Sequence, residues 1–197
     1  MDLTDPVATA LLASEAFDRA GLRHALFGGL LLGVYGEVRE TSDADLAVLD
    51  ASAEEARIAL AAAGVEALVS FDAVRFGGLT IGRVTLLAGG GHEGLNVVDL
   101  VRPRSPRLAS AAIERSVTGP LRGQTIRMLT ADDFVVFKVL ATREKDLDDA
   151  ASVLRRSPEL VDLAAIEREC ETLAAEIPDH DVRGRLAEVV RRARGPA

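Results

Sequence analysis

The chain of 197 residues is long enough to bury a substantial core, and we expect one domain with a helical extension. Its net charge of −8 argues against a protein that coats nucleic acid non-specifically. A single cysteine, Cys170, excludes an internal disulfide framework and is typical of the cytoplasm, and no stretch reaches the ~20 apolar residues of a membrane span or starts like a secretion signal.

The first half of the chain predicts a mixture of helices and strands. Helices are expected over 7–20, 30–37 and 52–63, the last beginning with a capping box of Ser52 and Glu55, and strands over 24–27, 44–49, 67–76, 79–88 and 95–101.

The second half predicts a helix over 108–117, a turn at Gly119-Pro120 and a strand over 125–129. A helical region follows from Thr130, with breaks near 157–158 and 177–178. We therefore predict the α+β class, with a mixed β-sheet flanked by helices over 1–129 and a C-terminal helical region, 130–197, packed on it.

Two carboxylates interrupt the predicted strand in "RETSDADLAVLD". Asp43 and Asp45 are two residues apart, so on a strand their side chains point the same way. Neighbouring carboxylates repel each other unless a cation lies between them. The pair therefore indicates either a site for Mg²⁺, which prefers oxygen ligands, or an edge strand whose two acids face water.

Gly28 and Gly29 follow a predicted strand and precede a predicted helix. Unpaired N–H groups and the helix dipole favour an anion there, and glycines let a phosphate come close to the backbone. The alternative is that the two glycines only pack the helix against the strand.

A third acid, Asp99 in "LNVVDLV", lies on another predicted strand. Three carboxylates facing a phosphate-binding turn are typical of metal-dependent phosphoryl or nucleotidyl transfer, in which the ion offsets charge on phosphate oxygens.

The segment "FGGLLLGVYGEVRETSDADLAVL" resembles the signature of the polymerase-β-type nucleotidyltransferase superfamily, and within it the toxin-like AbiEii/MNT branch. The branch pattern of a Gly-Gly pair followed by Arg-x-Thr-x-Asp-x-Asp is matched by Arg39, Thr41, Asp43 and Asp45. A later segment, "FKVLATREKDLDDAASVL", matches a second element of that branch. The resemblance covers roughly residues 20 to 155.

This resemblance implies that the protein binds an NTP together with two Mg²⁺ ions, or alternatively with Mn²⁺. It also implies transfer of NMP to a hydroxyl acceptor. The acceptor would be tRNA, a protein side chain or a small molecule such as an aminoglycoside or lincosamide, and an antitoxin is an implied partner. Asp43, Asp45 and Asp99 would hold the metal and act in catalysis together with Lys138, which would contact the triphosphate. The implied nucleotide-binding residues are Gly28, Gly29, Arg39, Thr41, Lys138, Arg143, Lys145 and Asp146. Many superfamily members have Ser where this chain has Gly29, and Thr41 or Arg39 would compensate.

Lys138 lies in an apolar run and must reach solvent or an anion, because an unpaired buried ammonium is very costly. Its spacing to Thr142, Lys145 and Asp149 predicts one shared helical face. Asp146 has an alternative role as the N-cap of a helix that restarts there.

Six arginines between residues 102 and 127 favour a phosphate-bearing acceptor, or else form a solvated face: Arg102, Arg104, Arg107, Arg115, Arg122 and Arg127. Gly89 to Gly91 are expected in a hairpin turn, and the three histidines, His24, His92 and His180, at the surface or in caps. We expect Cys170 to be packed in a helix, and the arginines Arg191, Arg192 and Arg194 to form a frayed, solvated end.

Two further hypotheses stay open beside the enzyme. The first is a catalytically silent nucleotide- or partner-binding module with the same fold, suggested by the missing serine at Gly29. The second is a structural protein in which the acids are solvated and the C-terminal helices form an interaction surface.

Overall fold

The computed structural model describes residue 2, residues 4–88 and residues 95–195. The strands in this part of the chain are β1 (His24–Leu26), β2 (Ala44–Val48), β3 (Ala67–Phe76), β4 (Leu79–Leu86), β5 (Asn96–Pro103), β6 (Val117–Leu121) and β7 (Gln124–Met128). The α-helices are α1 (Pro6–Ala20), α2 (Gly28–Tyr35), α3 (Ala53–Ala62), α4 (Pro106–Arg115), α5 (Ala131–Leu140), α6 (Glu144–Arg156), α7 (Leu163–Glu176) and α8 (Val182–Arg194).

All seven described strands belong to one mixed sheet with the order β3-β4-β5-β2-β1-β7-β6. The neighbours β2 and β5 are parallel, as are β1 and β7, and the remaining pairs are antiparallel. Helices α1 and α3 pack on each other and on several of these strands, while α5 packs on α6, α7 and α8. The predicted α+β class, with a mixed sheet flanked by helices, is confirmed.

Local sequence signals account for several of the element boundaries. Ser52 accepts from the N–H of Glu55, whose side chain in turn accepts from the N–H of Ser52, so the predicted capping box begins α3. Gly21 ends α1 in the left-handed conformation, with φ of 72°, which costs a glycine little. Asp162 caps α7 in the same way as Ser105 caps α4, each accepting from a backbone N–H three residues later.

The predicted turn at Gly119-Pro120 is wrong. Both residues lie within β6, and the chain turns instead at Arg122 and Gly123, which have φ of 48° and 77°. A proline is tolerated here because β6 is the edge strand of the sheet, where one row of N–H groups faces away from any partner.

The helical region expected after Thr130 has one more break than the two predicted. α5 ends at Leu140 and α6 begins at Glu144, so Lys138 and Asp149 belong to different helices. α5 is almost wholly buried and packs Phe134 and Phe137 against Phe27. The boundary at 129/130 as a domain division stays a prediction.

Of the two histidines in the described residues, His24 differs from the expectation of a surface or capping position, and His180 agrees with it. His24 is buried, with one ring nitrogen 2.7 Å from the Ser14 hydroxyl and the other 2.8 Å from the Leu22 carbonyl. His180 is half-buried, and its ring lies 3.1 Å from the Val139 carbonyl. His92 and the glycines 89–91 lie outside the described residues.

Cys170 is packed in α7 as expected, and burial raises the pKa of its thiol to about 12. The arginines near the C-terminus do not form a frayed end, because Arg192 pairs with Glu144, Asp148 and Glu188 and so ties α8 to α6. None of the helices in the described part of the chain is long and apolar enough to cross a lipid bilayer.

Candidate active site

Three carboxylates meet at one point on the sheet. Two of them lie on neighbouring strands, and the third lies just before one of these strands. Asp45 on β2 lies in register with Asp99 on β5, and Asp43 lies just before β2. One oxygen from each carboxylate lies within 4.8 Å of the other two. Oxygen donors at this spacing suit a hard divalent cation. The donor set therefore fits the predicted metal.

Asp45 lies on an interior strand and not at an edge. β2 is flanked by β1 and β5, so the alternative of two acids on an edge strand is wrong. Burial raises the pKa of Asp45 to about 6, and the charges of Asp99 and Asp43 act in the same direction. The site holds more negative charge than its own groups neutralise.

Arg83 on β4 is a site residue that the sequence analysis missed. Its guanidinium donates two hydrogen bonds to Asp99, at 2.6 and 2.7 Å, and lies 4.0 Å from Asp43. It also lies over the ring of Phe71, 5.6 Å from the centroid. An isolated arginine in a strand gives no local signal; its role depends on the pairing of Arg83 with Asp99 across β4 and β5.

The two glycines make room for the acidic strand. A Cβ on Gly28 would lie 1.8 Å from the Oδ2 atom of Asp45, and one on Gly29 would lie 2.7 Å from Thr41. Gly28 also has φ of 66°. Close packing of the helix start is therefore one reason for the pair, and phosphate binding by the N-terminus of α2 stays a prediction.

A second charged cluster, defined by Lys138, Asp146 and Asp149, lies behind the triad. The buried ammonium of Lys138 donates to Asp146 at 2.9 Å and to Asp149 at 2.7 Å. Burial opposes ionisation of both carboxyls, but Lys138 with Arg143 or Arg39 keeps each pKa below its ordinary value. Lys138 therefore finds its anions within the protein, and the N-cap role considered for Asp146 is wrong because Arg143 holds that position.

The other predicted nucleotide-binding residues are divided between these two clusters. Arg39 donates to both oxygens of Asp149 at 3.0 Å, and Thr41 donates to Asp43 at 3.1 Å. Arg143 donates to Asp146 at 3.0 and 3.2 Å. Lys145 is exposed in the first turn of α6.

Most of the arginines between residues 102 and 127 are engaged in ion pairs away from the triad, which does not favour the predicted phosphate-binding edge. The acceptors come from distant parts of the chain: Asp179 for Arg104, Glu169 and Glu176 for Arg107, Asp133 for Arg115, and Asp5 for Arg122.

A cavity of about 260 Å³ opens beside the triad. Its charged lining residues are Asp45, Asp99, Asp146, Arg83 and Arg143, and the rest of the lining is apolar. A larger groove, of about 760 Å³, runs along α7 and α8, but its lining includes none of the three acids. The smaller cavity is the one placed to serve chemistry at the triad.

Known proteins resemble this chain in fold. Neither a protein-family model nor a curated protein matches the sequence. An antigenic nucleotidyltransferase-like protein from Paracoccidioides brasiliensis superposes with a TM-score of 0.51 at 17% identity, over 92% of each chain. The solution structure of the antibiotic-resistance factor ANT(2'')-Ia also gives 0.51, at 13% identity over 88% of this chain and 97% of that one. The chain therefore has a nucleotidyltransferase-like fold, and the AbiEii/MNT branch stays a prediction.

Replacing Gly28 by alanine should strongly destabilise the protein, because the new Cβ would overlap the Asp45 carboxylate and the backbone has a left-handed φ. Gly33→Ala in the same helix meets open space and should stabilise by up to about 1 kcal/mol. Urea unfolding of both variants measures the difference. Equal effects of the two substitutions would contradict the packing role of Gly28.

Lys138→Met should cost about 3 kcal/mol of unfolding free energy, since Asp146 and Asp149 lose their buried cation and each keeps only a more exposed arginine, Arg143 or Arg39. Lys145→Met removes an exposed ammonium and should change stability by less than about 0.5 kcal/mol. Chemical denaturation at neutral pH compares them; a mild effect at Lys138 would show that the ion pairs are dispensable.

Affinity for Mn²⁺ should rise steeply between about pH 5 and pH 7, because Asp45 must lose its proton to ligate and its pKa is about 6. The folded pKa lies above the ordinary value, so without the ion the ionised carboxyl should lower stability as the pH rises from about 4 to 6. Calorimetric titration with Mn²⁺ at several pH values tests this. A flat profile would exclude Asp45 as the titrating ligand, and Asp45→Asn should bind weakly throughout.

Proposed function

We propose that the protein is a Mg²⁺-dependent nucleotidyltransferase that moves NMP from an NTP to a hydroxyl acceptor. The convergence of Asp43, Asp45 and Asp99 on one point of a nucleotidyltransferase-like fold is the observation that supports it. At 13–17% identity the structural neighbours support the fold, so the activity rests on the site itself.

In this proposal the three carboxylates hold two Mg²⁺ ions, with Mn²⁺ as the alternative expected from the resemblance. When bound, the metal would offset negative charge on the phosphate oxygens and promote ionisation of the acceptor hydroxyl. One of the three carboxylates is proposed to accept the hydroxyl proton.

The triphosphate is proposed to lie beside Gly28, Gly29 and Thr41, at the start of α2. The N-terminal N–H groups of a helix and its dipole favour an anion at this position. The acceptor oxygen forms a bond to the α-phosphorus, the bond from that phosphorus to the bridging oxygen breaks, and pyrophosphate leaves.

The Lys138 cluster has a positioning role in this proposal. Both carboxylates around Lys138 also bind arginines, Arg39 from the segment before β2 and Arg143 at the cavity. The cluster thus fixes the two segments that flank the triad. This role replaces the predicted contact of Lys138 with the triphosphate, because its ammonium is already held by two carboxylates.

A nucleotide-binding module without turnover is the second candidate, and Arg83 favours it. The guanidinium holds both oxygens of Asp99, which limits the third carboxylate as a metal ligand or proton acceptor. An antitoxin partner stays a prediction from the resemblance to the toxin-like branch.

Incubation with α-labelled NTPs, Mg²⁺ and separate pools of RNA, protein and small alcohols should label an acceptor in one pool. Asp43→Ala should reduce transfer at least about 100-fold, while Asp50→Ala, at the exposed end of the same segment, should not. Binding of ATP without transfer in any pool would favour the silent module. Absence of both binding and transfer would contradict both functions.

A further inference from the structure

One wall of the cavity beside the triad is apolar, and it lies on the same face of the sheet as the acids. Asp99 pairs with Arg83, and two residues further along the strands Val101 pairs with Ile81. Ile81 in turn pairs with Val74 on β3. Because side chains two residues apart share a face of a strand, Val101, Ile81 and Val74 lie on the same face as the acids.

Aromatic side chains form much of the rest of the cavity. Phe27, Phe71 and Phe76 line it, which is half of the six phenylalanines in a chain with no tryptophan. Val74 is 45% exposed, and Phe71 and Phe76 are partly exposed. An apolar surface left open to water beside a charged site favours a ligand that covers it with apolar atoms.

The charged groups of the cavity largely satisfy each other. Arg83 is held by Asp99, and Arg143 by Asp146. A polycation such as an aminoglycoside would find in this lining only Asp45 without an ion pair among the described residues, and the phosphates of an RNA would have to displace Asp99 or Asp146 from an arginine. A volume of about 260 Å³ is also below the ~300–1,000 Å³ of pockets for drug-sized ligands.

The position of the cavity assigns it to one of the two substrates. Its lining includes Asp45 and Asp99 but not Gly28, Gly29 or Thr41, beside which the triphosphate is proposed to lie. Arg143 and Asp146, which the resemblance counts among the nucleotide-binding residues, do line the cavity, so its assignment to the acceptor rests on a lining that includes neither glycine nor Thr41. An acceptor bound in it would present its hydroxyl directly to Asp99 and Asp45.

We propose that this cavity binds the acceptor, and that the acceptor is a small molecule in which a hydroxyl group is attached to an uncharged aromatic or other apolar ring. The inference rests on the proposed function and narrows its acceptor. It assigns recognition to Val74, Ile81 and the three phenylalanines, whose contacts are apolar and sense shape more than charge.

The test uses 2-naphthaleneethanol as a probe. Its binding to the wild-type protein and to three variants is measured by ligand-observed NMR titration. Val74→Gln and Val74→Asp place polar groups at the exposed rim of the cavity, without and with a charge. Val69→Asp is the matched control, since Val69 is 37% exposed on the same strand and does not line the cavity. We expect both Val74 variants to weaken probe binding by about tenfold or more, and Val69→Asp to leave it within about twofold.

Competition experiments distinguish an acceptor site from a nucleotide site or a polycation site. ATP with Mn²⁺ should bind together with the probe, and tobramycin should not displace the probe. Mutual exclusion of ATP and the probe would indicate that the cavity binds the nucleobase, and displacement of the probe by tobramycin would indicate a polycation site. Unchanged probe binding by both Val74 variants would show that the probe binds elsewhere. Each of these outcomes overturns the inference. Binding of ATP to wild-type protein is measured separately, so that a failure of the proposed function is recognised as such.

Discussion

Repulsion among three carboxylates is the constraint on which the arrangement of this protein depends. Asp43, Asp45 and Asp99 lie within 4.8 Å of each other in a partly buried place, where charges interact more strongly than in water. The pKa of Asp45 is raised to about 6, mainly by burial and in addition by the charges of Asp99 and Asp43. Keeping such a group on an interior strand lowers the stability of the fold. A cation bound by all three acids would offset this cost most directly.

The protein meets this constraint with two sets of cations at different depths. Arg83 compensates Asp99 at the surface of the site, where its guanidinium is 35% exposed. Lys138 is 2% exposed and compensates Asp146 and Asp149 below it. Removing Lys138 leaves Asp146 and Asp149 with only a more exposed arginine each, Arg143 and Arg39, whereas Arg83 can exchange its carboxylate for water or for another ion. Lys138 thus lies deeper in the protein than Arg83, and the catalytic role predicted for Lys138 stays a prediction.

Local patterns were enough to predict the acids, the glycine pair and the α+β class, because each depends on neighbours in sequence. The alternation of Asp43 and Asp45, the capping box of Ser52 and Glu55, and the apolar surroundings of Lys138 all carry their physical reason within a few residues. Arg83 was missed because its partner Asp99 is fixed by strand register. A helix restart at Asp146 was considered from the sequence, but the break between α5 and α6 could not be located because the Lys138 ion pairs that stabilise it join residues of two helices.

The hydrogen bonds of Arg83 rank the three acids as ligands. Asp43 accepts one bond from the Thr41 hydroxyl, which leaves oxygen lone pairs for an ion, whereas Asp99 receives two charge-assisted bonds from one guanidinium. Each Asp99 oxygen accepts one of these bonds and keeps a second lone pair, so Asp99 can still ligate an ion, but with part of its charge already neutralised. Phe71 lies under the same guanidinium and lines the cavity beside the triad, so a group that packs against Phe71 also changes the support of Arg83.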